Sequence, residues 1–368
     1  MKRIALISLL SFLALTSAYS APLYNDIMGR SFRPQSLRFS AMGESGIAIP
    51  KREEAFFINP AGLADDRSFY LSLPSINLSL YQVKDIFTSP LASAFKGDID
   101  SILEIAGLLN GNSPLLYSDQ SIKTSFSGFG ASMDIEEVLY STGQSFGSGF
   151  IPAIKSSLSL GYGHSWELNE DYNLSLGFME HVTGMWYSTE ISAESVVDLL
   201  KGDPSALSLI SSGWNLSTDI GAILSMPLGF SFGISFNDIG SGTTLVNQST
   251  GESERIYSDS LISLGFAWEH TFKGNIRIAF ASDFIDLIDY FSQPTFANLL
   301  YHMNLGAELN LSKWVSLYTG LNGGYPSFGL EVQLLWLRLG ALYRYQESGY
   351  EVGLNPKDQL EISLALVF

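Results

Sequence analysis

Along the last ten residues, Leu360, Ile362, Leu364, Leu366 and Phe368 alternate with Gln359, Glu361, Ser363, Ala365 and Val367. A period of two belongs to a β-strand with one apolar face and one polar or small face. The same alternation recurs along the chain, with aliphatic or aromatic residues opposed to Gly, Ser, Asn or Glu. A β-sandwich also alternates, but a closed barrel in lipid requires it on nearly every strand, because lipid touches one face and the lumen the other. The pattern predicts an all-β chain, a transmembrane antiparallel β-barrel of the outer membrane.

Counting back from the end places strands near 359–368, 335–345, 326–333, 314–322, 300–311, 274–284, 257–270, 229–238, 213–226, 171–184 and 156–166. Three less regular stretches, Val138–Gly147, Ile122–Ser132 around a turn at Met133–Glu137, and Arg67–Val83, bring the total to about fourteen. An even number suits a single-chain bacterial barrel. If the last strand ends at the periplasmic face, the tight connections Leu334–Leu335, Ser312–Lys313, Thr271–Gly274, Met226–Leu228 and Glu167–Glu170 all fall there. The long connections 346–358, 285–299, 239–256 and 185–212 fall outside, and Gly323–Tyr325 is the short turn on the outer face. Loops of a sandwich have no reason to sort in this way.

Residues 84–121 then form an outer loop, in which Leu91, Phe95, Ile99, Ile102, Leu103, Ile105, Ala106 and Leu109 recur at helical spacing. A second helical stretch, Ala193–Leu200 and Ser205–Ile210, lies in another outer loop. The two pack as a cap or present an apolar entry groove. Inward-facing positions are small: Ser157, Ser159, Gly161 and Gly163; Ser231, Gly233 and Ser235; Ser263, Gly265 and Ala267. A barrel of about fourteen strands so lined is open rather than filled by side chains. Residues 21–66 show little alternation and precede the first strand, so they are expected to fold back as an N-terminal hatch, with 67–368 as the barrel. At the hatch centre, Pro60 biases Asn59 toward extended geometry, and Asn59 is placed to cap the Ala61–Ala64 turn.

Lys2 and Arg3 precede an apolar run from Ile4 to Leu15, and Ala18 and Ser20 supply small residues before Ala21, so residues 1–20 read as a secretory signal peptide. The run is shorter than the roughly 20 residues that cross a bilayer as a helix. Removing it leaves 18 basic against 37 acidic side chains, a formal charge of −19. Such a charge repels nucleic acid. The absence of Cys removes lipoprotein anchors, disulfides and thiolate metal sites. A mean hydropathy of +0.17 is too high for disorder.

Asn59-Pro60-Ala61-Gly62-Leu63-Ala64, just ahead of the first strand of a secreted barrel, resembles the hatch motif of FadL-type long-chain fatty-acid transporters. Leu321-Asn322-Gly323-Gly324-Tyr325-Pro326-Ser327-Phe328-Gly329-Leu330, followed by the Phe368 ending, is similar to the PorV-like and spirochaetal branch of that superfamily. The resemblance implies fourteen strands, an N-terminal hatch and movement of hydrophobic molecules, with Asn59, Pro60 and Ala61 as hatch residues. In such transporters cargo lands on an external apolar site, passes to a pocket beside the hatch and leaves when the hatch shifts. The large helical loop after the first strand is a departure, so no loop residue is carried over.

Gly229-Phe230-Ser231-Phe232-Gly233 matches the nucleophile-elbow pattern, but an elbow needs a strand, a sharp turn and a helix, whereas Ser231 sits within strand alternation. His164, His181, His270 and His302 have no metal-ligand spacing and are expected near strand ends. Asp283, Asp286 and Asp289 lack the Gly and closing Glu of a calcium loop and read as a solvated acidic face. No catalytic residue, metal site or cofactor is expected. Trp166, Trp186, Trp214, Trp268 and Trp314 fall near strand ends, where interfacial girdles lie. Leu335, Leu337 and Leu339 on the lipid face would point Trp336, Arg338 and Arg344 inward. The arginines there receive a carboxylate head group or pair with luminal Glu308 or Glu361. With Phe56 and Phe57 of the hatch, these three are the candidate ligand contacts. The leading expectation is outer-membrane transport of hydrophobic compounds, with long-chain fatty acids first, so the partners are such compounds and outer-membrane lipid. The alternatives are a PorV-like anchor for a periplasmic or surface protein partner, and a general porin.

Overall fold

The computed structural model describes residues 36–64, 68–84, 113–141, 150–188, 195, 210–240, 242–247, 249–256, 260–274, 276–292, 294–347, 352–353 and 355–368. The expected signal peptide, the first part of the expected hatch and both expected loop helices, within 91–109 and 193–210, lie outside these residues, except for Ser195, which is helical, and Ile210, which begins a strand rather than ending a helix.

Sixteen strands form one antiparallel sheet. They are β1 (Tyr70–Tyr81), β2 (Ser113–Phe126), β3 (Phe129–Ser141), β4 (Phe150–Glu167), β5 (Asn173–Ser188), β6 (Ile210–Ser225), β7 (Phe230–Gly240), β8 (Thr243–Asn247), β9 (Ser253–Ile256), β10 (Leu261–Thr271), β11 (Arg277–Phe284), β12 (Met303–Asn310), β13 (Val315–Asn322), β14 (Tyr325–Leu334), β15 (Leu337–Glu347) and β16 (Pro356–Val367). Each barrel strand pairs with the next, β7 passes to β10, and β1 pairs with β16, so fourteen strands close into a barrel. The remaining two, β8 and β9, form a hairpin that docks on the start of β6 through Ser211 and Ser212.

Closure leaves no sheet edge within the wall, which satisfies every barrel strand's backbone polar groups in a medium without water. The alternation sorts the side chains as expected. In β16, Ile362 and Leu364 are exposed outward while Gln359, Glu361 and Ser363 are buried inside. Leu158, Leu160, Phe178, Val182, Leu216 and Ile220 continue the outer belt around the tall side. Trp166, Trp314 and Trp336 flank the belt at the short-turn end, with Trp186 and Trp214 at the other. The wall is lopsided: β4 has 18 residues, whereas β12 has 8.

The connections sort by length. Residues 127–128, 168–172, 226–229, 272–276, 311–314 and 335–336 are short and share one end; 82–112, 189–209, 241–260 and 285–302 are long and share the other. Three assignments need correction. Residues 113–121 are not part of an outer loop but the first part of β2. Ile122–Ser132 is not one strand, because Ser127 and Gly128 both adopt positive φ, 53° and 87°, and close a two-residue hairpin between Phe126 and Phe129. Met133–Glu137 is not a turn but the middle of β3. Asp134 and Glu136 read as turn residues because they are charged, yet they face the lumen, where charge is compatible with a strand.

Candidate functional site in the barrel lumen

The segment 36–64 runs inside the barrel. Its short helix, Leu37–Ala41, begins at Ser36, whose hydroxyl accepts from Phe39 N at 3.0 Å and donates to Glu54 at 2.7 Å. Asn59 is extended, with φ −153° and ψ 106°, as a residue before proline should be, and its Oδ1 accepts from Ala61 N at 3.1 Å at the head of the Pro60–Leu63 turn. Fully buried Asn59 also donates from Nδ2 to Ile47 O at 2.9 Å, within the segment, and at 3.4 Å to Ala222 O and Ile234 O of the wall. Its amide therefore ties the segment to itself and to β6 and β7.

The segment fits because the wall gives way to it at glycines. A Cβ on Gly163 would lie 2.6 Å from Ala64 N, one on Gly233 2.7 Å from Ile47 O, and one on Gly329 2.5 Å from Ala41 Cβ. Gly130, Gly177, Gly221, Gly265, Gly306, Gly320 and Gly340 meet the segment in the same way. These ten glycines stand on ten different strands. Register aligns many of them directly: Gly163 opposite Gly177, Gly177 opposite Gly221, Gly233 opposite Gly265, and Gly306 opposite Gly320. The small-residue lining read from three strands is thus part of a continuous belt. Four barrel strands carry no glycine: β11, where Ala281 lies opposite Gly306, and β16, β1 and β2, beside which a small polar cavity remains, lined by Glu53 of the segment and by Ser72, Asn77, Lys123, Arg338 and Ser363 of the wall.

Ion pairs hold the segment laterally. Arg38, almost wholly buried, bonds Glu54 at 2.5 Å and Glu308 of β12 at 2.8 Å, and Lys51 reaches the same Glu308 at 3.0 Å. Arg277 joins at 3.1 Å and also pairs with Glu269. Burial would lower the Arg38 guanidinium, but the carboxylates of Glu308 and Glu54 beside it hold it above its ordinary value. Asp283 is neither a solvated acid nor a cation ligand; its Oδ2 accepts from Gly46 N at 2.6 Å and Ile47 N at 2.9 Å, which satisfies two amides of the segment.

The candidate ligand contacts separate. Arg338 meets Glu53 at 2.6 Å and Arg344 meets Glu44 at 2.7 Å and Gln359 at 2.6 Å. Both arginines face inward, but their partners are carboxylates of the luminal segment rather than Glu308 or Glu361. Trp336 does not face the lumen: it lies with Leu335 in the two-residue turn after β14 and is exposed, because pairing of Leu334 with Leu337 shifts the turn one residue along. Phe56 is buried against Gly130, and Phe57 packs edge-on to Phe39 with Lys123 Nζ 5.1 Å above its ring.

At the loop end, Tyr81, Tyr117, Val138, Tyr140, Ile151 and Met185 form a buried apolar cluster inside the wall, closed by Leu245 from the β8–β9 hairpin. Sequence reasoning missed it because 84–121 read as loop, which hid Tyr117. The signal was present in the phase of β2, where Tyr117, Asp119, Ser121 and Lys123 alternate on one face. His181 lies mid-strand rather than near a strand end, with Nδ1 2.8 Å from Ser159 Oγ and Nε2 3.2 Å from Asp219. A hydrolase joins Ser to Nε2 and the acid to Nδ1, and needs free amides for an oxyanion. Here the connections are reversed and the flanking strands are committed to the β4–β5–β6 ladder. Ser231 faces the lumen from within β7, as strand alternation predicts, and no helix follows it. Among the described residues no three His, Cys, Asp or Glu side chains group as metal ligands.

No family model and no curated protein matches the sequence. Solved structures do match. The toluene transporter TodX of Pseudomonas putida is 9% identical, with 92% of this chain and 98% of that chain covered at a TM-score of 0.50. The toluene transporter TbuX of Ralstonia pickettii is 11% identical over 91% and 98%, at 0.49, and a FadL homologue of Pseudomonas aeruginosa 10% identical over 91% and 98%, at 0.47. The likeness is one of fold. The chain shares the closed barrel fold of TodX, with fourteen strands in its wall and an apolar outer belt suited to lipid.

Proposed function

We propose that this barrel carries hydrophobic compounds across the outer membrane and that segment 36–64, with Asn59, Pro60 and Ala61 at its centre, is the hatch that must move to let them pass. The observation that carries this reading is the pairing of a buried apolar cluster at the loop end with a luminal segment seated on a glycine belt. Cargo entering under the β8–β9 hairpin would leave water against tyrosine and aliphatic side chains, at a gain of about 25 cal/mol per Å² of apolar surface covered. Below that cluster the hatch blocks straight passage. Its polar attachments run through side chains, and its apolar ones, such as Leu37 and Met42 beside Tyr318 and Leu342 or Phe56 and Leu63 beside Met179, are packing contacts, so both break and re-form without unravelling the wall. The fold neighbour TodX, a toluene transporter, favours the same class of cargo. Fatty acids remain the first cargo to test, because the sequence motif resembles that of their transporters.

The test uses the absence of cysteine in the chain. Ser327 Oγ donates to Ala41 O at 2.7 Å, so in an A41C/S327C chain one cysteine stands on each side of this contact between the hatch and β14. In proteoliposomes, oxidation should abolish uptake of a fluorescent hydrophobic tracer and dithiothreitol should restore it. Uptake unaffected by a formed cross-link would defeat the moving-hatch reading, and failure to bind any hydrophobic compound would defeat the transport reading itself.

A further inference from the structure

The belt of glycines stops at β16, β1 and β2, and the lumen beside these strands and β3 has a different chemistry. Asp119, Asp134, Glu136 and Glu361 are all buried there, and Lys123 and Lys155 are the cations set among them. Each lysine is already committed, Lys123 to Asp134 at 3.3 Å and Lys155 to Glu136 at 3.2 Å. Arg344, on the far side of β16, is bonded to Glu44. Asp119 and Glu361 therefore have no cation at salt-bridge distance among the described residues.

Their hydrogen bonds are incomplete as well. Asp119 Oδ2 accepts from Asn77 at 3.1 Å and Glu361 Oε2 from Ser79 at 3.2 Å, whereas Asp119 Oδ1 and Glu361 Oε1 have no hydrogen-bond partner among the described residues. The hydroxyl of Ser121 on β2 also has no partner among the described residues. A buried carboxylate oxygen without a donor is costly, and it stands ready to accept from water or from a ligand N–H. Immediately toward the loop end, Tyr81, Tyr117 and Tyr140 belong to the apolar cluster, and Tyr117 OH donates to Glu136 at 3.2 Å. Aromatic side chains beside carboxylates that lack a salt bridge attract a cation twice over, through the ring quadrupole and through charge. They repel an anion for the same two reasons.

We propose that this side of the lumen is a binding track for hydrophobic compounds bearing an amine or another cationic head group, which sits at Asp119 or Glu361 while the chain lies against the tyrosines. The assignment rests on the transport reading above and narrows its cargo: a fatty-acid carboxylate would be driven off by the two unpaired acids, while an ammonium supplies the missing donors.

The experiment compares dodecylammonium, dodecanol and dodecanoate, equal in chain length, binding at pH 7 to the full chain in phosphatidylcholine nanodiscs, with empty nanodiscs as reference. Dodecylammonium should bind at least about tenfold more tightly than dodecanoate, a difference of about 1.4 kcal/mol, with dodecanol between them. In D119N/E361Q, which keeps side-chain shape, that preference should collapse to within about threefold, and the single D119N serves if the double variant does not fold. Dodecanoate binding as tightly as dodecylammonium, or a preference that survives the substitutions, would overturn the head-group assignment while leaving hydrophobic transport standing. Binding of none of the three would overturn both.

Discussion

Gly233→Ala places one methyl group where the wall and the luminal segment are in close backbone contact. The added Cβ would lie 2.7 Å from Ile47 O, 2.9 Å from Ile47 C and 2.9 Å from Ala48 Cα. Ordinary carbon contacts need about 3.5 Å, so the segment must retreat by roughly 0.7 Å. Retreat is resisted, because Ile47 N is held by Asp283 at 2.9 Å, Gly46 N by the same carboxylate at 2.6 Å, and Ile47 O by Asn59 at 2.9 Å. Overpacking of this kind costs about 1–3 kcal/mol, which raises the population of displaced segment by about 5–150-fold. The wall itself should not weaken, since alanine is better tolerated than glycine inside a strand. The two effects separate by assay: hydrogen exchange at Gly46–Leu63 should accelerate, whereas the heat-induced mobility shift of the folded barrel on a gel should not change. Gly184→Ala is the control, because its Cβ would meet only the tip of the Trp186 ring and Ser156 Oγ, away from the segment. Unchanged exchange in Gly233→Ala, or equal acceleration in Gly184→Ala, would refute the claim that the glycine belt seats the segment.

Arg38→Met should loosen the same segment by about 3–5 kcal/mol, because Glu54 and Glu308 lose their shared guanidinium, and a lower urea midpoint for exposure of residues 36–64 measures it. Burial alone would raise the Glu53 carboxyl, but Arg338 and the Tyr70 hydroxyl hold it down at about 2, below its ordinary value of 4.5. Its contribution to holding the segment is therefore complete above pH 4.5 and lost as pH falls through about 2, and protease sensitivity of the segment should rise over that interval in the native chain but not in Glu53→Gln. Leu228 has φ 63° in the exposed β6–β7 turn. Leu228→Asn should raise barrel stability by about 0.5–1 kcal/mol by relieving that left-handed conformation, read as a later unfolding transition.

The alternation of Gln359–Phe368 and its counterparts determined the class of fold, the number of staves and the sorting of short and long connections, because a lipid face and a luminal face impose a period of two on each strand separately. Asn59-Pro60 likewise carries its own local geometry. Where the pattern failed, at Ser127-Gly128 and Met133–Glu137, the error came from treating charge as a mark of turns; in a barrel whose lumen is polar, Asp134 and Glu136 belong inside a strand. What no single strand records is register and partner. Gly163, Gly177 and Gly221 become one belt only when three strands align, Arg338 finds Glu53 and Arg344 finds Glu44 only when the leading segment threads the barrel, and Asp119 is left unpaired only because each neighbouring lysine has another acid nearer. Those contacts join residues tens to hundreds of positions apart, so their energies depend on closure of the whole wall, and only the tertiary structure decides them.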